Sequence, residues 1–91
     1  MDRVFVLDRV TERHPDVSKE DARAAWQHCI ANIPRIDADP DEYAAIGYDD
    51  RGRLLELVVL RTDAGDWLII HAQTPPQERI LRELGYGRRK Q

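Results

Sequence analysis

The sequence predicts an α+β domain in which N-terminal helices pack on a three- to four-stranded antiparallel meander, closed by a C-terminal helix. Three observations carry that expectation. Apolar side chains recur at helical spacing through Ala22, Ala25, Trp26, Cys29, Ile30 and Ile33. Three apolar runs, Tyr43–Tyr48, Arg53–Arg61 and Trp67–Gln73, follow one another across short turns that hold Gly52 and Gly65. Finally, Pro75 and Pro76 precede Ile80, Leu81 and Leu84, which share one side of a helix.

The elements follow in order. Val4–Leu7 is short, β-branched and aromatic, and reads as a brief strand or extended entry. A helix from about Asp8 to Arg13 follows. Phe5, Arg9 and Arg13 also lie at helical spacing, as do Leu7, Val10 and His14, so a helix could equally begin earlier. Pro15 stops it, because the residue before a proline is biased away from α geometry. Ser18 suits an N-cap, with Asp21 three residues on as a variant capping box and Glu20 favoured by the helix dipole. The apolar stripe then predicts a helix of about 14 residues, anchored by Trp26 and ended by Pro34. Residues 34–42, rich in proline and aspartate, read as a loop. In the meander, Leu54–Leu60 is interrupted only by Glu56, which suits a central strand. Gly85 ends the last helix, and 86–91 is expected to be a flexible tail.

At 91 residues the chain, 1–91, has room for one domain. No apolar run approaches the roughly 20 residues of a membrane span, and Asp2, Asp8 and Arg9 interrupt any signal-like start. The lone Cys29 forms no internal disulfide, so the expected location is cytoplasmic. The net charge of −3 is unevenly spread: Asp37, Asp39, Asp41, Glu42, Asp49 and Asp50 crowd the middle, whereas Arg79, Arg82, Arg88, Arg89 and Lys90 enrich the C-terminal end. Such asymmetry permits an anion-binding end on an acidic protein, or simply a solvated tail.

Several chemistries drop out. His28 and Cys29 are adjacent and diverge by about 100° on a helix, and there is no Cys-x-x-Cys or His-x-x-x-His pair, so no metal is expected. The glycines form no phosphate-binding fingerprint, and Ser18 lies in no nucleophile elbow. No cofactor is expected.

His71 reads equally as a partly buried structural histidine or as the leading candidate for acid or base work, since histidine as a type titrates near neutrality. Strict alternation sends Leu68, Ile70 and Ala72 towards the helices, leaving His71 on the second face with Trp67, Ile69 and Gln73. Glu56 shares the face of His71 if Val58 lies opposite His71; a slip of one residue separates them. Partial burial there raises a carboxyl pKa. Arg51, Arg53 and Arg61 flank the central strand and Arg79 and Arg82 lie on the last helix; with Trp67 and Tyr86 they compose a candidate RNA-binding face.

Arg13-His14-Pro15-Asp16-Val17-Ser18, then Glu20, Asp21, Ala22 and Trp26, carry a resemblance. So do Ala45-Ile46-Gly47, Gly52-Arg53-Leu54-Leu55, Ile69-Ile70-His71-Ala72 and Glu78-Arg79. Over residues 4–84 the chain resembles the BrnT-like branch of the RelE-type toxins of bacterial type II toxin–antitoxin pairs. The resemblance implies a RelE-like fold and a metal-independent endoribonuclease that cuts mRNA, often at the ribosome, until a cognate antitoxin binds it. It further implies Glu56 or His71 as base, His71 as acid, and Arg61 and Arg53 on the scissile phosphate, with Arg79 and Arg51 as further phosphate contacts. Two features depart from the family: Gln73 stands where an arginine is common, and the chain is net acidic. They point to an alternative, a non-catalytic protein-binding module of the same fold.

Overall fold

The computed structural model describes residues 3–36 and 41–86. The chain runs β1 (Val4–Val6), α1 (Asp8–Arg13), α2 (Lys19–Gln27), β2 (Cys29–Pro34), β3 (Glu42–Tyr48), β4 (Leu54–Arg61), β5 (Trp67–Gln73) and α3 (Glu78–Glu83). Part of the 34–42 loop, residues 37–40, lies outside the described residues, as does the expected tail apart from Tyr86. No helix among the described residues is long and apolar enough to cross a membrane.

The class is α+β, as expected, but the sheet is larger and mixed. Its order is β1-β5-β4-β3-β2, with β1 parallel to β5 and every other pair antiparallel. The central meander β3-β4-β5 follows the sequence reading. β1 and α1 fall where the sequence places a brief strand and a helix; what differs is that β1 joins the sheet parallel to β5 and that a further strand, β2, is added on the opposite edge.

The expected helix through Ile33 is the main correction. Ser18 and Asp21 do form a reciprocal capping box, Ser18 Oγ accepting from the Asp21 N–H at 3.0 Å and Asp21 accepting from the Ser18 N–H at 2.9 Å. The helix nevertheless ends at Gln27, where His28 donates its last backbone bond to Ala24. From Cys29 the backbone pairs with β3, Cys29 opposite Gly47 and Ile33 opposite Ala44. Ile30, Asn32 and Ile33 are poor helix formers, so an available strand edge outweighs a stripe that helical spacing alone extends too far.

Helix α2 lies close to the sheet through small side chains rather than through Trp26. Ala22 and Ala25 are fully buried, as is Ala45 beneath them. A Cβ added to Gly47 would stand 1.9 Å from the Ala25 carbonyl oxygen. Trp26 is partly buried at the rim and stacks on Trp67, ring centroids 5.0 Å apart. On this first face Leu55, Leu57, Val59, Ile69 and Ala72 meet Val6, Val10 and Val17 in the main core. A smaller core on the second face joins Ala44 and Ile46 to Ile80 of α3.

The inward set on β5 also differs from strict alternation. Val59 pairs with Ile69, but Val58 pairs with His71, leaving Ile70 as the extra residue of a bulge. Ile69 and Ala72 are therefore the buried pair against the helices, whereas Leu68 and Ile70 are only partly buried.

The contact at Gly47 gives a direct expectation. Gly47→Ala must push α2 away from β3, since the obstructing atom is backbone and cannot rotate aside. Urea unfolding is expected to show a loss of about 2–3 kcal/mol; an unchanged midpoint would mean that helix and sheet are not so closely apposed.

Candidate active site

The bulge in β5 brings His71 and Glu56 onto the same, second face. Their pairing partners, Val58 and Gln73, are neighbours along the two strands in the favourable register left open by the sequence. His71 Nε2 lies 2.7 Å from Glu56 Oε2. Glu56 is only 1% exposed, an ionisable group in the middle of an apolar strand. Its other partners come from Gln77, at the N-terminus of α3. The Gln77 backbone N–H donates to Oε1 at 2.6 Å, and its side-chain amide donates to Oε2 at 2.9 Å.

Burial works to raise the Glu56 carboxyl, as the sequence suggested, but the hydrogen bonds from His71 and Gln77 outweigh it and hold the group below its ordinary range. Glu56 is thus an anion with three donors around it. An ionised carboxylate only accepts, so the His71 nitrogen facing it must carry a proton. Nδ1 is then the ring nitrogen available to a ligand.

A pocket of about 230 Å³ opens beside His71. Val58, Ile70 and Ala72 line its sheet side, and Glu42 and Arg35 close one end. Arg9, Val10, Arg13 and His14 approach from α1. They do so because β1 pairs only with Trp67–Ile69, and α1 follows it to meet β5. The rings of His14 and His71 meet edge-on, 5.7 Å between centroids. Arg35 is held by Glu42 at 2.6 Å and by Glu83 at 3.1 Å, so its charge is already balanced. Arg9 and Arg13 are exposed and have no carboxylate partner among the described residues. They leave the cleft with uncompensated positive charge beside a histidine.

The arginines singled out in the sequence lie elsewhere. Arg61 is five residues from Glu56 along β4, roughly 16 Å away and on the opposite face, with its guanidinium 4.4 Å from the Trp67 ring centroid. Arg53 donates to Asp49 at 2.8 Å, to Asp21 at 3.0 Å and to the Asp16 carbonyl at 3.0 Å. Arg51 reaches Asp21 at 2.8 Å. Burial alone would raise the nearly inaccessible Asp49 carboxyl; bonds from Arg53 and the Arg51 N–H more than offset it and keep it low. Arg51 and Arg53 therefore tie the β3–β4 turn to the start of α2. Arg79 is exposed on α3.

Of the candidates, then, the fold brings Glu56 and His71 together and leaves Arg51, Arg53 and Arg61 apart from them, while Arg79, two residues beyond Gln77, does not line the pocket. Sequence reasoning missed Gln77 and did not assign Arg9, Arg13 or His14. The four-residue spacing of the two arginines was visible, but not what they face. Among the described residues no three His, Cys, Asp or Glu side chains gather as a metal site.

The Glu56 anion has a pH signature. Its folded pKa lies below the unfolded one, so its stabilisation is complete above roughly pH 5 and is lost as pH falls through the lowered folded value. Glu56→Gln is expected to cost about 2 kcal/mol at neutral pH and to flatten the decline of stability below roughly pH 4. Urea unfolding across pH checks both; Asp21 and Asp49, also held low, supply the acid sensitivity that remains.

Comparison of the chain with protein-family models, with curated proteins and with solved structures found no match in any of the three.

Proposed function

We propose that the protein is an RNA-cleaving toxin of the RelE type, a metal-independent endoribonuclease restrained in the cytoplasm by a cognate antitoxin. The observation that carries this reading is the pairing of buried Glu56 with partly exposed His71 beside a pocket flanked by Arg9, Arg13 and His14. RNA supplies its own nucleophile, the 2′-hydroxyl, so the protein needs a base, an acid and positive charge. His71 Nδ1 takes the 2′-hydroxyl proton while Glu56 stabilises the resulting imidazolium through Nε2. The 2′-oxygen bonds to phosphorus, and Arg9 and Arg13 offset the charge that develops on the phosphorane oxygens. The bond to the 5′-oxygen breaks as that oxygen accepts a proton from the His14 imidazolium. The products are a 2′,3′-cyclic phosphate and a free 5′-hydroxyl. The volume of the pocket, below the roughly 300–1,000 Å³ of small-molecule sites, suits one phosphodiester and its sugar.

One observation favours the second reading, a non-catalytic protein-binding module. β2 forms a sheet edge and exposes Ile30 at 48% and Ile33 at 38%, with Ile36 beyond at 89%. An extended segment of a partner protein pairs readily with such an edge.

Induced expression separates the two. The toxin reading expects growth arrest and fragmented mRNA, with cleavage reduced roughly 10²- to 10⁴-fold by His71→Ala and sharply weakened by the Arg9→Ala/Arg13→Ala pair. RNA left intact by the wild-type protein, with ribosomes present, would remove the enzyme reading and leave the binding module.

A further inference from the structure

We propose that Gln77 is a positioning residue that, through Glu56, fixes the His71 imidazole with Nε2 protonated and Nδ1 turned to the ligand. The inference rests on the reading of His71 as the proton acceptor and names what holds the carboxylate that orients it.

The hydrogen bonds are unusual for the position. Gln77 is the N-cap of α3, with the extended backbone (φ −69°, ψ 148°) of a residue entering a helix, yet its side chain caps nothing in α3. Most N-cap side chains accept from the first turn of their own helix. Here the amide points away from the helix and donates to Glu56, and the backbone N–H of the same residue donates to the other carboxylate oxygen. Two bonds from one residue grip both oxygens, so the carboxylate cannot rotate about its last torsion without breaking one of them. The remaining strong acceptor direction of Oε2 is taken by His71.

Stability alone does not account for this arrangement. A carboxylate buried on a central strand, between Leu55 and Leu57, is a poor choice for packing alone, and an apolar side chain of similar volume is often neutral or better there. What the clamp supplies is direction. Imidazole has two neutral tautomers, and the one with hydrogen on Nδ1 would present the pocket with a donor where the reaction needs an acceptor. Gln77 never reaches the pocket, whose lining contains His71 but neither Glu56 nor Gln77. It acts on the chemistry only through the carboxylate.

The test reads the His71 ring nitrogens directly, by long-range ¹H–¹⁵N correlation on ¹⁵N-histidine-labelled full-length protein at a pH where His71 is neutral. The wild-type protein, and Glu78→Ala as an exposed neighbour control, are expected to show the Nε2–H tautomer alone. Gln77→Ala, and Gln77→Met, which keeps the side-chain length without the donor, leave Glu56 and the backbone N–H to its Oε1 in place, so Nε2 stays protonated; with the amide bond to Oε2 gone, the Nε2 proton is expected to exchange with water roughly tenfold faster. On an RNA oligonucleotide the same variants should lose roughly tenfold in kcat with KM little changed, because no ligand contact is removed. Either variant that folds suffices. An unchanged exchange rate of the Nε2 proton in that variant would overturn the inference. The proton exchange is measured without RNA, so a protein that fails to cleave RNA would sink the nuclease reading while leaving the spectra to decide the role of Gln77.

Discussion

One buried anion governs the second face of the sheet. Glu56 sits where the strand pattern calls for a leucine or valine, and an unpaired charge at that depth would cost several kcal/mol. It is tolerated because β5 and α3 each deliver donors to it: His71 from one, and the backbone and amide of Gln77 from the other. The chain beyond β5 is therefore tied to the sheet by more than the small apolar contact of Ile80 with Ala44 and Ile46. No buried side-chain nitrogen or oxygen among the described residues is left without a partner, so the polar content of this face is fully matched.

A second acid–arginine system at the other side of the molecule has a different character. Asp49 accepts from the backbone N–H groups of Arg51 and Arg53 as well as from the Arg53 side chain, and Asp21 receives both guanidinium groups while also closing the capping box of α2. That network holds a turn and a helix start in place. The contrast separates arginines bound into the scaffold from those, Arg9 and Arg13, that face a cleft. Number and proximity in sequence did not distinguish them; the carboxylates each meets in space do.

The meander, its turns, the capping box and the final helix were legible because each rests on local chemistry: alternation, Gly52 and Gly65 at positive φ, Ser18 with Asp21, and the proline pair before Ile80. The two edge strands were not legible in full. β1 is three residues long and gains its identity from a parallel partner more than sixty residues away. β2 continues the apolar spacing of α2, and only the vacant edge of β3 makes it a strand. The meeting of Glu56 and His71 was legible as one of two registers. Gln77 was not, since a glutamine before a short helix carries no sign of where its amide will go.

The bulge at Ile70 has a consequence for how this strand can change over time. It absorbs a phase difference between the two ends of β5: the turn end is set by Arg61 opposite Trp67, and the far end by Val58 opposite His71. Ile70 is the position between them that pairs with nothing. It marks the place where β5 can lose a residue and keep the same neighbours facing each other on both sides. Evolution can thus alter the length of this strand there while keeping Val58 opposite His71, giving up one side chain of the cleft wall, whereas a deletion at Ile69 or Ala72 removes a side chain from the core itself.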